Sequence, residues 1–313
     1  MISPVRSLLR STSAAPWLVN VAANGPRFLW HLSWLSRSEW YSPDRLRALQ
    51  ERRLRTLLNH AYAHCPYYRK EFDTHGVRLA QVQTLNNLAE LPILRRQAAV
   101  ERFDEIRATN AADFEPHRGA TSGTSGVRLE FLRDRETASV GNAARARFRA
   151  WHGIRFGHRI AEFRGMVLPS GLPDYATEIV YEATSRTLRL NLLGFPQRQA
   201  RMADAVSQFR PEAVVTGSPA ALAHFSLFLL KHPHYQVRPR VVFSGGERLF
   251  SDQRNIMREA FEAPVVEGYG NWEYVVFGGE CPQGRLHIAS EMGIVEIQKG
   301  GRPCPPVRSA KSW

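Results

Sequence analysis

The stretch RVVFSGGE, residues 240–247, joins a run of β-forming residues directly to a glycine turn. The same arrangement precedes it in AVVTGSP, residues 213–219, and follows it in PVVEGYGNWE, residues 264–273. Between these stretches, apolar residues recur at helical spacing over about 219–230 and 251–261, which predicts two helices. Strands that alternate with helices are typical of parallel βαβ units, so we predict an α/β protein.

The turns that end these strands are the first candidate for a functional site, because ligands of open α/β sheets bind at the carboxyl ends of the strands. We call residues 216–218, 244–247 and 268–273 the strand-end loops. In the middle loop, Gly245 and Gly246 let the backbone pass close to a flat ligand, and Glu247 can fix that ligand with a hydrogen bond. A tight turn between a strand and a helix explains the same residues equally well.

The third strand-end loop adds an aromatic ring and a carboxylate. Tyr269, followed by Gly270, offers a face for a nucleobase, and Glu273 lies four residues further on. Glu273 is a candidate Mg²⁺ ligand, since Mg²⁺ prefers carboxylate and phosphate oxygens. Taken alone, Tyr269 and Trp272 are more often core residues.

Serines precede both helices. Ser218 stands before the first, with Pro219 in the position that tolerates proline, and Ser251-Asp252 stands before the second. Serine and aspartate oxygens accept hydrogen bonds from the free N–H groups of a first helical turn. We therefore expect Ser218 and Ser251 to cap these helices.

A hydroxyl-rich hexapeptide is the most distinctive motif of the first half. It consists of Thr121, Ser122, Gly123, Thr124, Ser125 and Gly126. Its two glycines allow close approach to a phosphate, and its four hydroxyls can donate to phosphate oxygens. It lacks the Gly-Lys-Ser/Thr ending of a P-loop, and residues 128–132 alternate like a strand. A flexible serine- and glycine-rich loop remains the alternative.

The N-terminal third reads as helical. Ser42-Pro43-Asp44 is a helix start, and leucines at near-helical spacing follow it until Cys65-Pro66. A second short helix is predicted over 67–72, ending at Gly76. We expect a helical segment over residues 1–105, a core over 106–300 and an irregular tail over 301–313.

The composition excludes several classes of protein. Of the 42 basic residues, four are lysine, so 38 are arginine; they are scattered along the chain, and the net charge of +13 indicates compositional bias rather than nucleic-acid binding. No apolar run is long enough for a transmembrane helix. Three cysteines do not make a disulfide framework, and with no secretory signal we expect a cytoplasmic protein.

The first 38 residues contain no acidic side chain. Arginines and serines in this segment resemble the composition of a transit peptide. Its tryptophans, Trp17, Trp30 and Trp34, suit a packed helix or a contact with a membrane surface better.

Taken in order, the motifs resemble the AMP-binding signatures of adenylate-forming enzymes, in particular the phenylacetate–CoA ligase branch with its capsular-polysaccharide CapK-like members. The resemblance spans about residues 43–303. The matching segments are LLNHAY (57–62), CPYYR (65–69), LPIL (91–94), the hexapeptide (121–126), GGE (245–247), YGNWE (269–273) and EC with GRLH (280–287).

This resemblance implies a role for each segment. The hexapeptide, Thr121 to Gly126, would hold the phosphates of ATP; Gly245, Gly246 and Glu247 would contact adenine; Tyr269 and Gly270 would flank it; and Glu273 would bind catalytic Mg²⁺. The reaction would join a carboxylic acid to AMP and then transfer the acyl group to a thiol such as coenzyme A. Cys281 and His287 match part of a zinc site of some relatives, for which this chain offers only Cys304 downstream; a small buried cysteine and a surface histidine are the simpler explanation.

The chain also departs from the family pattern. Val127 and Arg128 replace the usual residues after the phosphate loop, and Trp272 is bulky for an adenine segment. We expect the small C-terminal domain, with its catalytic lysine, to be absent, and the tail to be a truncated or frameshifted end. Whether the chain is an active ligase therefore stays open. The alternatives are a non-catalytic nucleotide-binding remnant and a CapK-like protein, and a homodimer is left open.

Overall fold

The computed structural model describes residues 16–121, 128–164, 179–183, 185–192, 198–299 and 302–303. Two compact units make up the chain. The sheet unit comprises Met1–Glu39 and Asp134–Ile288, and the helical unit comprises Trp40–Arg133 and Ala289–Trp313. These units are defined by contacts and do not follow the divisions at 105 and 300, which remain a prediction from motif order.

The sheet unit is built on an eight-stranded sheet with the order β10-β9-β8-β7-β6-β3-β5-β4. Its strands are β3 (Ile160–Arg164), β4 (Ile179–Glu182), β5 (Thr187–Asn191), β6 (Ala213–Thr216), β7 (Val241–Ser244), β8 (Val265–Gly270), β9 (Phe277–Glu280) and β10 (Leu286–Ile288). Strands β5, β3, β6, β7 and β8 pair in parallel, in that order. The predicted α/β class with a mostly parallel sheet is confirmed.

Antiparallel pairing occurs at both margins of the sheet. Strand β4 pairs with β5, and β9 pairs with both β8 and β10. Strand β8 pairs with β7 through residues 265–267 and with β9 through residues 268–270. The antiparallel margin beside β8 was not predicted, because β9 and β10 are too short to show an alternating pattern and two of the four residues of β9 are glycine.

Helices cover both faces of this sheet. They are α1 (Pro16–Ser38), α6 (Arg135–Trp151), α7 (Gln199–Phe209), α8 (Pro219–Lys231) and α9 (Ser251–Phe261). One buried cluster joins the sheet to α7, α8 and α9, with Phe163, Phe225 and Phe261 as its largest side chains. A second cluster on the opposite face centres on Phe148 of α6. Burial on both faces explains the continuous apolar runs of the central strands.

The helical unit contains the predicted N-terminal helices. Its elements are α2 (Pro43–His64), α3 (Pro66–Thr74), α4 (Arg96–Glu101), α5 (Phe103–Ile106), two 3-10 helices (Leu85–Glu90 and Ala111–Phe114) and the strands β1 (His117–Ala120), β2 (Glu130–Arg133), β11 (Gln298–Lys299) and β12 (Arg302–Pro303). The Ser42 hydroxyl accepts a hydrogen bond from the Arg45 N–H, as the sequence predicts. Leu54, Leu58, Phe72 and Val82 form the core of this unit.

Both predicted serine caps need correction. Helix α8 begins after Ser218, but the Ser218 side chain forms no capping hydrogen bond. At α9 the residue before the helix is Phe250, and Ser251 is the first helical residue. The Phe250 N–H instead donates to the Gln253 side chain at 3.2 Å, so a residue inside the helix satisfies the group before it.

Candidate functional site

The strand-end loops contact one another through their backbones. The Gly245 N–H donates to the Thr216 carbonyl oxygen at 3.0 Å, which links the ends of β6 and β7. A Cβ atom on Gly245 would lie 2.9 Å from the Gly268 carbonyl oxygen. Gly245 therefore lies between the loop of residues 216–218 and the loop of residues 268–273. The structure brings the three strand-end loops together at one edge of the sheet.

Gly246 has two reasons to be glycine. Its φ of +79° lies in the left-handed region, which side chains other than glycine rarely adopt. A Cβ atom there would lie 2.6 Å from the Gly217 carbonyl oxygen. The backbone at this turn is consequently bare, and it packs directly against the backbone of the loop that contains Gly217.

The side chain of Glu247 is held by a neighbouring loop. The Ser218 hydroxyl donates to Glu247 Oε2 at 3.2 Å. Thr216 closes the turn before Ser218, since its hydroxyl oxygen accepts the Ser218 N–H at 3.0 Å and donates to the Ser218 carbonyl oxygen at 3.0 Å. Ser218 thus orients a candidate ligand-binding carboxylate, a role that sequence reasoning missed because it placed this serine as a helix cap.

The two aromatic residues of the third loop are exposed. Tyr269 is 55% exposed and Trp272 is 53% exposed, so neither belongs to the core. The predicted loop also starts later than expected, because residues 268–270 remain in β8 and pair with β9. Tyr269 is therefore held by a strand ladder, and its ring is available to stack on a planar ligand.

Glu273 lies in the turn that connects β8 to β9. Asn271 organises this turn, with its side-chain oxygen accepting the Val275 N–H at 3.2 Å and its carbonyl accepting the Tyr274 N–H at 3.2 Å. The Glu273 side chain is half-buried and forms no hydrogen bond or ion pair within the described part of the chain. A carboxylate without a partner, on an ordered turn, is available to a cation.

An arginine at the centre of an acidic network supports the base of this site. Arg254 of α9 donates to the Val265 carbonyl at 2.7 Å and to Glu280 Oε2 at 3.0 Å. Glu280 Oε2 also accepts the Glu267 N–H at 2.9 Å. These bonds join α9, β8 and β9 where β8 changes its pairing. No sequence motif indicated Arg254, since its partners lie 11 to 26 residues away.

Two paired strands of the helical unit flank the hexapeptide. Strands β1 and β2 pair antiparallel, with Ala120 opposite Glu130. The Thr121 N–H donates to the Leu129 carbonyl at 2.9 Å, and the Leu129 N–H donates to the Thr121 hydroxyl at 3.2 Å. The predicted strand after the hexapeptide is confirmed. Ser122, Gly123, Thr124, Ser125 and Gly126 lie outside the described residues.

The candidate zinc ligands occupy β10 and the end of β9. Cys281 is buried, and His287 is half-buried with its ring 6.0 Å from that of Trp151. Burial, with a smaller contribution from the charge of Arg285, lowers the pKa of His287. Over the described ranges, no three His, Cys, Asp or Glu side chains gather in a way that could hold a metal ion. Cys304 lies outside these ranges, so zinc binding remains a prediction.

Comparison with known proteins gives sequence relatives over part of the chain. The phenylacetate-coenzyme A ligase of Escherichia coli (strain K12) is 36% identical over 90 residues, which are 28% of this chain and 20% of the relative. That of Aromatoleum evansii is 47% identical over 51 residues, 16% of this chain and 12% of the relative. The chain is related to the AMP-binding superfamily of adenylate-forming enzymes. No family model matches it.

Solved structures agree on the fold. A 2-hydroxyisobutyryl-CoA ligase in complex with 2-HIB-AMP and CoA superposes with a TM-score of 0.59 at 21% identity, covering 77% of this chain and 53% of that one. An open conformation of this ligase gives a TM-score of 0.56 at 19% identity, covering 74% and 52%. The chain thus spans about half the length of these AMP-binding structures and a fifth or less of the curated relatives.

Proposed function

We propose that this chain binds ATP with Mg²⁺ and activates a carboxylic acid to an acyl-adenylate, with coenzyme A as the acceptor of the acyl group. The observation that carries the proposal is the contact between the three strand-end loops. Gly245 and Gly246 bring the three loops together through bare backbone, the Tyr269 ring is exposed, and the Ser218 hydroxyl orients Glu247. Bare backbone, an exposed aromatic ring and an oriented carboxylate at the carboxyl ends of the strands suit adenine.

The carboxylate of Glu273 is the proposed ligand of Mg²⁺. Glu273 has no partner among the described residues, and one carboxylate is enough for Mg²⁺ when substrate phosphates supply further oxygens. When bound, Mg²⁺ would neutralise charge on the phosphates during attack by the acid. The resemblance of the sequence assigns the phosphates to the hexapeptide that Thr121 opens. Thr121 itself is bonded to Leu129 through both its N–H and its hydroxyl.

The relatives support the chemistry. The E. coli and Aromatoleum evansii proteins are phenylacetate-coenzyme A ligases, and the 2-hydroxyisobutyryl-CoA ligase structure holds an acyl-AMP together with CoA. An acid, AMP and CoA are therefore the substrates to try first. We extend to this chain the reaction class and leave the acid to experiment.

A non-catalytic nucleotide-binding protein is the second candidate, and a CapK-like role is a variant of it. The exposed Tyr269 ring and the oriented Glu247 support nucleotide binding without acting on the phosphates, so they fit this candidate equally well. The two candidates differ in chemistry rather than in binding, so one pair of measurements separates them.

The deciding experiment is ATP–pyrophosphate exchange over a panel of aromatic and short aliphatic carboxylic acids, alongside calorimetric titration with ATP and Mg²⁺. Acid-dependent exchange supports the ligase. Saturable ATP binding without exchange supports the non-catalytic alternative, and the absence of both contradicts nucleotide binding altogether.

The variant Glu273→Gln tests the role of its carboxylate. We expect exchange to fall about 100-fold, since a charge that acts on the reacting phosphates is lost while the shape of the side chain is kept. Glu259→Gln is the matched control, because Glu259 is exposed on α9, away from the loops. Equal exchange rates in the two variants would remove Glu273 from the proposal.

A further inference from the structure

Helix α1 has one buried face and one exposed face. Phe28, His31, Leu35 and Ser38 recur at intervals of three and four residues and are all buried. The Arg147 guanidinium of α6 donates to the Leu35 carbonyl at 2.8 Å, which ties this face to the sheet unit. The helix is thus anchored by this side.

The exposed face of α1 is rich in large apolar side chains. Trp30 is 58% exposed and Leu29 is 38% exposed. The Trp30 and Trp34 rings stack, with centroids 6.1 Å apart and planes 11° apart. We call Leu29, Trp30 and Trp34 the α1 aromatic face. Trp34 is half-buried, so the exposed apolar surface of this face comes from Leu29 and Trp30.

Arginine supplies the unpaired charge around the α1 aromatic face, while the Glu136 carboxylate of α6 is engaged by His31 of α1, with Nε2 and Oε1 2.6 Å apart. Arg27 and Arg37 are exposed beside it, and neither forms an ion pair with a carboxylate of the described residues. No acidic residue occurs in the sequence before Glu39. The Glu39 carboxylate accepts a hydrogen bond from the Trp151 indole at 3.0 Å, so it is engaged with α6.

We propose that the α1 aromatic face binds the surface of an anionic lipid bilayer. Tryptophan favours the boundary between headgroups and acyl chains, because its ring is apolar and its N–H is polar. Arginine at the border of such a face attracts anionic headgroups. An apolar face flanked by cations, on a helix fixed to the protein by its other side, is the pattern of an interfacial helix.

The same charges disfavour a second copy of the chain as the occupant. A twofold interface would place the same face of two molecules together. The exposed Arg27 and Arg37 of one copy would then face a surface that carries the same arginines. A lipid surface instead supplies the missing negative charge. None of the described helices is both long and apolar enough to span a membrane, so the contact is with the surface.

Vesicle flotation tests this inference with the full-length chain. We expect binding to vesicles of phosphatidylcholine mixed with phosphatidylglycerol, little binding to phosphatidylcholine alone, and weaker binding at high salt. Trp30→Gln should weaken the apparent affinity about tenfold. Arg27→Gln should weaken it about fivefold.

Leu227→Gln on α8 is the control, since Leu227 is 41% exposed on another helix and should bind like the parent chain. Circular dichroism confirms that each variant folds. Equal binding to vesicles with and without phosphatidylglycerol overturns the inference. Equal binding by the parent chain and by Trp30→Gln also overturns it. A dimer that Trp30→Gln dissociates would also overturn it and assign this face to a second copy. None of these results depends on adenylation, so the proposed function is tested separately.

Discussion

In the strand-end loops, Gly245 and Gly246 lie against backbone carbonyl groups of neighbouring loops. In the antiparallel margin formed by β8, β9 and β10, Gly268 and Gly279 lie instead beneath the Phe148 ring of α6. The first pair brings peptide groups together at the edge where a ligand would bind. The second pair makes room for a core side chain. The same residue type therefore serves site geometry in one region and packing in the other.

The largest effect is expected at Gly246→Ala. The new Cβ would be strained by its positive φ and would meet the Gly217 carbonyl, which is backbone and cannot rotate away. We expect a loss of about 3 kcal/mol in the free energy of unfolding, measured with urea. Gly153→Ala is the control, because Gly153 has a φ of +74° in open space and should lose about 1 kcal/mol. Equal losses would show that the contact contributes nothing.

Gly279→Ala probes the packing region. The added methyl would overlap the Phe148 ring, and overpacking of this kind costs about 2 kcal/mol. A side chain can yield where a carbonyl cannot, so Phe148→Leu in the same chain should recover part of the loss. A double-mutant cycle measures this coupling. Strict additivity of the two losses would contradict the assignment of Gly279 to packing.

Ser218→Ala returns to the strand-end loops with a smaller change. Its hydroxyl donates to Glu247 in an exposed position, so the loss in stability should be no more than about 1 kcal/mol. We expect nucleotide affinity to fall more visibly, about threefold, because Glu247 loses its orientation. Ser218→Thr keeps the hydroxyl and should bind nucleotide as the parent chain does. Titration calorimetry gives both affinities, and an unchanged affinity in Ser218→Ala would rule out the orienting role.

The smallest effect concerns the antiparallel margin and pH. Burial and Arg285 lower the pKa of His287 below its ordinary value of 6.5, so the unfolded chain takes up the proton first as pH falls. The contribution of a neutral His287 to stability is therefore present above pH 6.5 and is lost as pH falls from there toward the lower pKa of the folded state. His287→Gln should flatten this part of the stability–pH curve, and Arg285→Gln should flatten it partly. A curve unchanged by His287→Gln would contradict this.

Local signals in the sequence were enough to predict much of the fold. Ser42 and Pro43 mark the start of α2, and the runs that become β6, β7 and β8 each end in a glycine turn. These features depend on neighbours in the chain, and they determine helix starts and strand ends directly. The same turns allowed the strand-end loops to be predicted as one group, since parallel strands bring their carboxyl ends to one edge.

The remaining features depend on contacts that the sequence does not display. Ser218 precedes a helix and has the residue type of a cap, yet its hydroxyl donates a hydrogen bond to the carboxylate of Glu247, 29 residues away. Tyr269 and Trp272 are more often core residues, yet Tyr269 is exposed on the ladder of β8 and Trp272 is exposed in the turn that follows it. The contacts of Phe148 and Arg254 likewise form only when the sheet has assembled, because both residues lie on helices and their partners lie on β8 and β9.

Strand β8 belongs to both the parallel part of the sheet and its antiparallel margin. Its first half pairs with β7 in parallel, and its second half pairs with β9 antiparallel. Neither ladder can open at β8 without releasing the other. Cooperative units of unfolding follow such shared elements. In native-state hydrogen exchange, the amides of β7, β8 and β9 should therefore become accessible in a single step, and the candidate ligand edge should be lost together with the packing beneath it.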